Sequence, residues 1–497
     1  LLTMAESLTH AMEVELRPDS GVIVVEDTIE SAKPVSRFEF VLNAGLKIAS
    51  SSAPIKRLTE SSDGLRIAYR ANPDTPTTQL RLRYQGTPRF GNRRQMGGMP
   101  EGEISGKGVY LDSNSAWHAR FNQPISGLDL RVSLPNGWQS ISIGKRSADG
   151  DMQRWQTSQP HDSLYLLAAP YKRYAQQHAG TDLSVWLLDD DPALAERYLG
   201  VMGDYIDHYA ALIGPYPFAK FAVVENRWQT GYGMPSFTLL GSRVMRLPFI
   251  PFTSLPHEIL HNWWGNGVWI DYAKGNWSEG LTAYLADHWM KERRGSGDQY
   301  RLKALQRYTN FAADDADTPL IDFVSRHNDA SQSVGYSKSL MLFHMLRREL
   351  GDEAFIEGLR TLWQTYRFKT VGFSDVVDLL ASRDPDLASR ASRWLQREGA
   401  ARLTLDAATV TADPDGYRLD VTLSQAAPVF DVEVPISVML EGETEARIQR
   451  IRLSDERHSV SMAFAEKPQR VDIDPAFDIL RLLDPSEQPP ALNRLLG

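Results

Sequence analysis

The sequence predicts a multidomain α+β protein: an N-terminal antiparallel β domain, a mainly helical middle domain and a small C-terminal β-sandwich. Three observations lead there. At 497 residues the chain exceeds the size, roughly 250 to 300 residues, at which a single hydrophobic core stops growing, so two to four domains are expected. Its 42% hydrophobic and 24% charged residues are the composition of a folded chain. The hydrophobic pattern also changes period twice, near residues 189 and 401, which sets expected domains at 1–188, 189–400 and 401–497.

The first domain follows from alternation. MEVELRP, GVIVVEDTI, RFEFVLN, GLRIAYR, TTQLRLRYQG and LDLRVSLP each place apolar residues at every second position, and Pro, Gly, Asn and Asp separate them. From Asp191 the spacing becomes helical. ALAERYLGVMGDYIDHYAALIG is one helix, stopped at Gly214-Pro215, and KSLMLFHMLRREL, DEAFIEGLRTLWQTY and SDVVDLLASR continue the texture to about Gly399. GYRLDVTLSQ, DVEVPISVML, RIQRIRLS and HSVSMAFAE then alternate again, and the Pro-rich LLDPSEQPPALNRLLG reads as a closing segment or the start of a linker.

Bulk properties exclude several functions. A net charge of −9 gives no general attraction for nucleic acid or an anionic membrane, so a peptide or small molecule is the expected partner. With no cysteine there is no disulfide, no thiolate nucleophile and no Cys-held zinc, which leaves His and carboxylates as the strong metal ligands. No apolar run is long enough to span a bilayer, and Leu1 to Val14 lacks the form of a signal peptide. Because residue 1 is Leu, a leader removed earlier would agree with a soluble protein of the bacterial periplasm or cell envelope; the sequence leaves the compartment and the oligomeric state open.

The strongest local signal is His257-Glu258-Ile259-Leu260-His261. On a helix, residues four apart share a face, so both imidazoles can reach one ion while the Glu after the first His lies near it. Thr253 or Ser254 is placed to cap this helix, and Pro256 falls in its first turn. A third ligand is expected on a second helix. Glu279, in WSEGLTAYLADHWM, is the candidate, with Ser278 as its cap and the turn Asp271 to Asn276 leading in through Gly275. Taken alone, Glu279 reads equally as a solvated carboxylate in a first helical turn.

HEILHNWWGN followed by WSEGLTAY resembles the M1 family of zinc aminopeptidases, which belong to the gluzincins, in its HExxHxWxGN motif and downstream Glu. GPYPFAKFAVVE, VGYSKSLMLFHMLRRELGDEAF and WLQREGAARLTL extend the resemblance over most of the chain. It implies a thermolysin-like catalytic domain, a zinc metallopeptidase activity on peptide substrates, and one zinc ion held by His257, His261 and Glu279. It further implies Glu258 as the base that activates water and Tyr336 as the phenol that stabilises the developing oxyanion; by itself Tyr336 reads as a core aromatic. His288 is expected at the surface or behind the ligands, and His344 as a satisfied core histidine.

Two departures bear on function. The interval Asn262 to Ser278 is one residue shorter than is usual in the family. More important for specificity, the family's GxMEN strand, whose Glu binds the substrate α-amine, corresponds here to Gly233-Met234-Pro235-Ser236. Gly233, Met234 and Pro235 are the expected substrate-binding residues, yet proline has neither charge nor N–H. Free-amine selectivity is therefore in question, and Glu225 is the nearest upstream carboxylate. The alternatives are a non-catalytic binding protein of M1 type and an epoxide-opening hydrolase of the same fold.

Overall fold

The computed structural model describes residues 7–91, 99–311, 316–325 and 328–488. The end of the Pro-rich closing segment lies outside them. The chain forms two compact units, one of residues 1–211 and 215–267 and the other of 212–214 and 268–497.

The first unit is built on a seven-stranded sheet. Its strands are β1 (Leu8–Arg17), β2 (Val22–Val35), β3 (Leu46–Ser51), β4 (Thr77–Gly86), β5 (Ile125–Ser133), β6 (Lys145–Asp149) and β7 (Met152–Thr157), in the order β6-β7-β5-β1-β2-β4-β3. The alternation read from sequence is the burial pattern observed: in β1 the residues from Leu8 to Leu16 alternate between core and solvent. One ladder departs from the expected antiparallel arrangement, because β1 runs parallel to β5, with Met12 opposite Leu130. Period-two alternation is the same in both directions, so the pattern carries no information on strand polarity.

A five-stranded sheet in the same unit carries the approach to the metal motif. It comprises β8 (Lys172–His178), β9 (Thr181–Leu187), β10 (Lys220–Asn226), β11 (Gly231–Met234) and β12 (Phe237–Gly241), ordered β8-β9-β10-β12-β11. Helix α1 (Pro192–Leu212) connects β9 to β10, which pair in parallel with Asp182 opposite Lys220, as a crossover connection requires. All seven residues of β10 are buried, the expected state of a central strand. Strand β11 is at the sheet's edge.

In the second unit, helix α3 (Ser278–Ala283) runs through a π-helical stretch, Tyr284–His288, and continues as Trp289–Glu292. A second π-helical stretch, Ser333–Lys338, leads into α4 (Ser339–Leu350). Such insertions are rare and concentrate at functional sites. The two elements meet closely: a Cβ on Gly280 would stand 1.8 Å from Ser339 Oγ, so no side chain fits there. The C-terminal sandwich has β13 (Leu403–Asp413), β14 (Gly416–Gln425), β15 (Val432–Leu440), β16 (Arg447–Leu453), β17 (Arg457–Phe464) and β18 (Pro468–Ile473), in sheets ordered β13-β14-β17 and β16-β15-β18. Among the described residues no helix is long and apolar enough to cross a membrane.

Candidate active site

The metal motif lies on a short helix, α2 (Ser254–Leu260), with His261 closing it in helical geometry. Neither expected cap functions as one: no side chain caps the helix, and the Thr253 hydroxyl donates instead to the Phe249 carbonyl at 3.0 Å. Leu255, Ile259 and Leu260 are buried, which fixes the helix's rotation and turns His257, Glu258 and His261 together to the opposite face. The two imidazole centroids are 4.8 Å apart. His261 Nδ1 lies 3.0 Å from the Trp264 carbonyl. Donation to that oxygen fixes the tautomer in which Nε2 carries the lone pair a metal needs.

Edge strand β11 lies directly against this face. A Cβ on Gly233 would be 2.9 Å from Glu258 Oε2 and 3.2 Å from His261 Cβ, so glycine is required for the strand to come this near the carboxylate. Asn262 holds the two together. Its Oδ1 accepts from the Ser236 N–H at 2.8 Å, and its Nδ2 donates to the Ile259 carbonyl at 2.9 Å. Asn262 was not singled out from sequence, since nothing local marks an Asn after a helix as the anchor of a strand 26 residues away.

Pro235 is buried in the turn between β11 and β12, followed by Ser236 at φ 68°. Proline followed by a left-handed residue is the pattern of a type II turn, and it lets Met234 pair with Phe237. Met234 is buried in the core, so of the three expected substrate-binding residues only Gly233 offers an open backbone face with no side chain. Glu225 does not replace the missing carboxylate. It is buried, with Oε1 accepting from Arg246 Nη1 at 2.6 Å and Oε2 from the Leu188 N–H at 2.8 Å, so both oxygens are committed.

Glu279 occupies the first turn of α3. The cap differs from expectation: Ser278 is already helical, and Asn276 Oδ1 accepts its N–H at 3.1 Å. His257, His261 and Glu279 offer ligand atoms within 4.8 Å of one another, a donor set of two imidazoles and one carboxylate that fits zinc. Tyr336 lies in the π-helical stretch before α4 and is partly exposed between buried Gly335 and Ser337, so it is not the core aromatic its sequence context suggested. Lys338, two residues on, anchors this turn from inside through Asp317 at 2.8 Å and the carbonyls of Thr318 and Arg397.

A second group, His288, Glu292 and His344, also brings three donor atoms together. It is poorly suited to a cation. Arg347 donates to Glu292 at 2.5 Å and Arg301 to His288 at 2.7 Å, so two guanidinium groups already occupy the space. His288 is fully buried and stacked on Tyr284, which removes the surface alternative of the two expected for it. His344 is the satisfied core histidine expected, bonded to the Tyr284 hydroxyl at 3.0 Å and Asp478 at 2.7 Å; burial pushes its pKa down to about 4.

An HExxH helix and a downstream Glu are the donor set on which a class of zinc hydrolases is built. Residues 252–394 match the model of the Peptidase family M1 domain. Human aminopeptidase N is 23% identical over 58% of this chain and 34% of its own length, and the rat enzyme 22% over 75% and 47%. The chain thus spans between a third and a half of these curated relatives. An M1 zinc metallopeptidase from Deinococcus radiodurans has the same fold, with a TM-score of 0.63 at 18% identity, covering 80% of this chain and 95% of its own. A variant of that protein was solved with a Tyr-Ser-Ala substrate, with a TM-score of 0.62 at 16% identity, covering 79% and 94%.

Proposed function

We propose that the protein is a zinc-dependent peptidase of aminopeptidase type, with one zinc ion held by His257, His261 and Glu279 and with residues 189–400 as the catalytic domain. The observation that carries this reading is the convergence of those three donors beside Glu258. The metal, when bound, polarises the scissile carbonyl and lowers the pKa of water toward neutrality. Glu258 takes the proton of the attacking water and delivers it to the departing nitrogen. The outer edge of β11 receives the substrate backbone as an added strand, next to the Glu258 carboxylate. Tyr336 donates to the carbonyl oxygen as charge develops there. The presence of Glu258 and of the full donor set weighs against a purely binding role.

Peptide hydrolysis should stop with a chelator and return with zinc; activity indifferent to chelation would remove this reading. Tyr336→Phe should lower kcat more than it raises KM, since its bond forms mainly in the transition state. An unchanged kcat would leave Tyr336 with a structural role only.

Specificity follows from Pro235 and Glu225. An α-ammonium leaving water needs a carboxylate or several acceptors. The position that supplies one in the family is a proline, and Glu225 already pairs with Arg246. The free peptide should therefore exceed its N-acetylated form in kcat/KM by less than about a hundredfold, the scale of one charged hydrogen bond. A ratio on the order of thousands would mean that another group binds the amine.

A further inference from the structure

Within the first unit, strands β6 to β10 wall an open cleft. Lys145, Arg146, Arg173 and Lys220 line it against a single carboxylate, Asp182. That carboxylate is already used, since Arg173 Nη2 donates to both its oxygens at 2.8 Å. Arg146 has only a long bond, 3.4 Å, from Nη2 to Gln139. The Nε–H groups of Arg146 and Arg173 are both buried with no hydrogen-bond partner. Beneath them Lys220 is 3% exposed, with its ammonium 2.6 Å from Ser236 Oγ and lying over Trp155 and Phe237 at 5.5 and 5.1 Å.

The two guanidinium groups are held in place by one ring. Arg146 and Arg173 stand 5.8 and 5.6 Å from the centroid of Trp186, which is itself buried and bonded through Nε1 to Ser184. Cation–π contact orients them but supplies no countercharge. Burial first, and the neighbouring Arg173 charge second, pull the Arg146 pKa below its usual value, and burial pushes Lys220 down to about 7. Arg146 and Arg173 are half-buried and Lys220 is fully buried, against Asp182 as the one carboxylate lining the cleft, and such an excess of positive charge taken out of water is costly.

We propose that this cleft binds a small oxyanion, phosphate or carboxylate in chemistry, through the Nε–H groups of Arg146 and Arg173, with Lys220 contributing charge from below. The planar fork of arginine suits such oxygens, and a charged partner makes each bond stronger than a neutral one. An anion that binds the folded protein alone also stabilises it.

The test uses the zinc-loaded protein and inorganic phosphate, with chloride at matched ionic strength as reference and acetate as the carboxylate arm. Phosphate, acetate or both should bind saturably by calorimetry and raise Tm beyond chloride, the stronger naming the chemistry. Arg146→Met should weaken that binding by about tenfold or more, with zinc content and circular dichroism unchanged. Arg146→Lys, which keeps the charge and loses the fork, should retain part of it. No binding beyond chloride by either anion would overturn the proposal. Binding undiminished in Arg146→Met would do so too, since the anion would then be at the metal or elsewhere. If the methionine variant does not fold, affinity unchanged in Arg146→Lys is the overturning result.

Discussion

Glu258→Gln is expected to keep its metal and to lose turnover by about a hundredfold or more, the usual worth of a positioned general base. The reasoning is geometric. Glu258 shares the open face of α2 with both histidines, and its Oε2 lies against Gly233 of the edge strand, where substrate is proposed to bind. The amide is nearly isosteric, so α2 and the contact with β11 should survive, while the group can no longer accept a proton at neutral pH. Metal content by elemental analysis and single-turnover kinetics separate the two effects. A variant that turns over peptide at near wild-type rate with a full complement of zinc would exclude Glu258 as the base.

Glu279→Ala is expected to weaken zinc binding by more than about a hundredfold, because removing a ligand should cost more than disturbing a group behind one. Activity should fall with it unless zinc is supplied in excess. Glu279 begins α3, whose start is fixed by Asn276 and whose approach to α4 is fixed by Gly280, so the backbone should hold without the carboxylate. The apparent Tm of the variant should then respond little to chelator, whereas the wild-type Tm should drop. Wild-type zinc affinity in Glu279→Ala would assign the third ligand elsewhere.

Much of this was legible in advance because it is local. The pairing of His257 with His261 depends on helix geometry within five residues, and the strands of the N-terminal and C-terminal domains on alternation within ten. The resemblance of the zinc motif reached further and named Glu279, at the start of a second helix. Where local signals misled, another residue had taken the task. The caps expected at Thr253 and Ser278 are not used, and Asn276 takes over the second. A surface position for His288 was one of two readings because its partner Arg301 lies on another helix.

The sequence by itself determined the chemistry on offer: two imidazoles, a neighbouring carboxylate, no thiol, and a proline where the resembling family has a Glu. Periodicity and composition are properties of neighbours in the chain, so they survive without the fold. Only the tertiary structure decided which of those groups are free to act. Glu225 is lost to Arg246 across 21 residues, and Asn262 is recruited to Ser236 across 26. Arg146 and Arg173 come to share one indole from separate sheets. Whether a charge is paired or left waiting is settled by contacts between strands distant in the chain, and no local pattern encodes the company a side chain will keep once the core has closed.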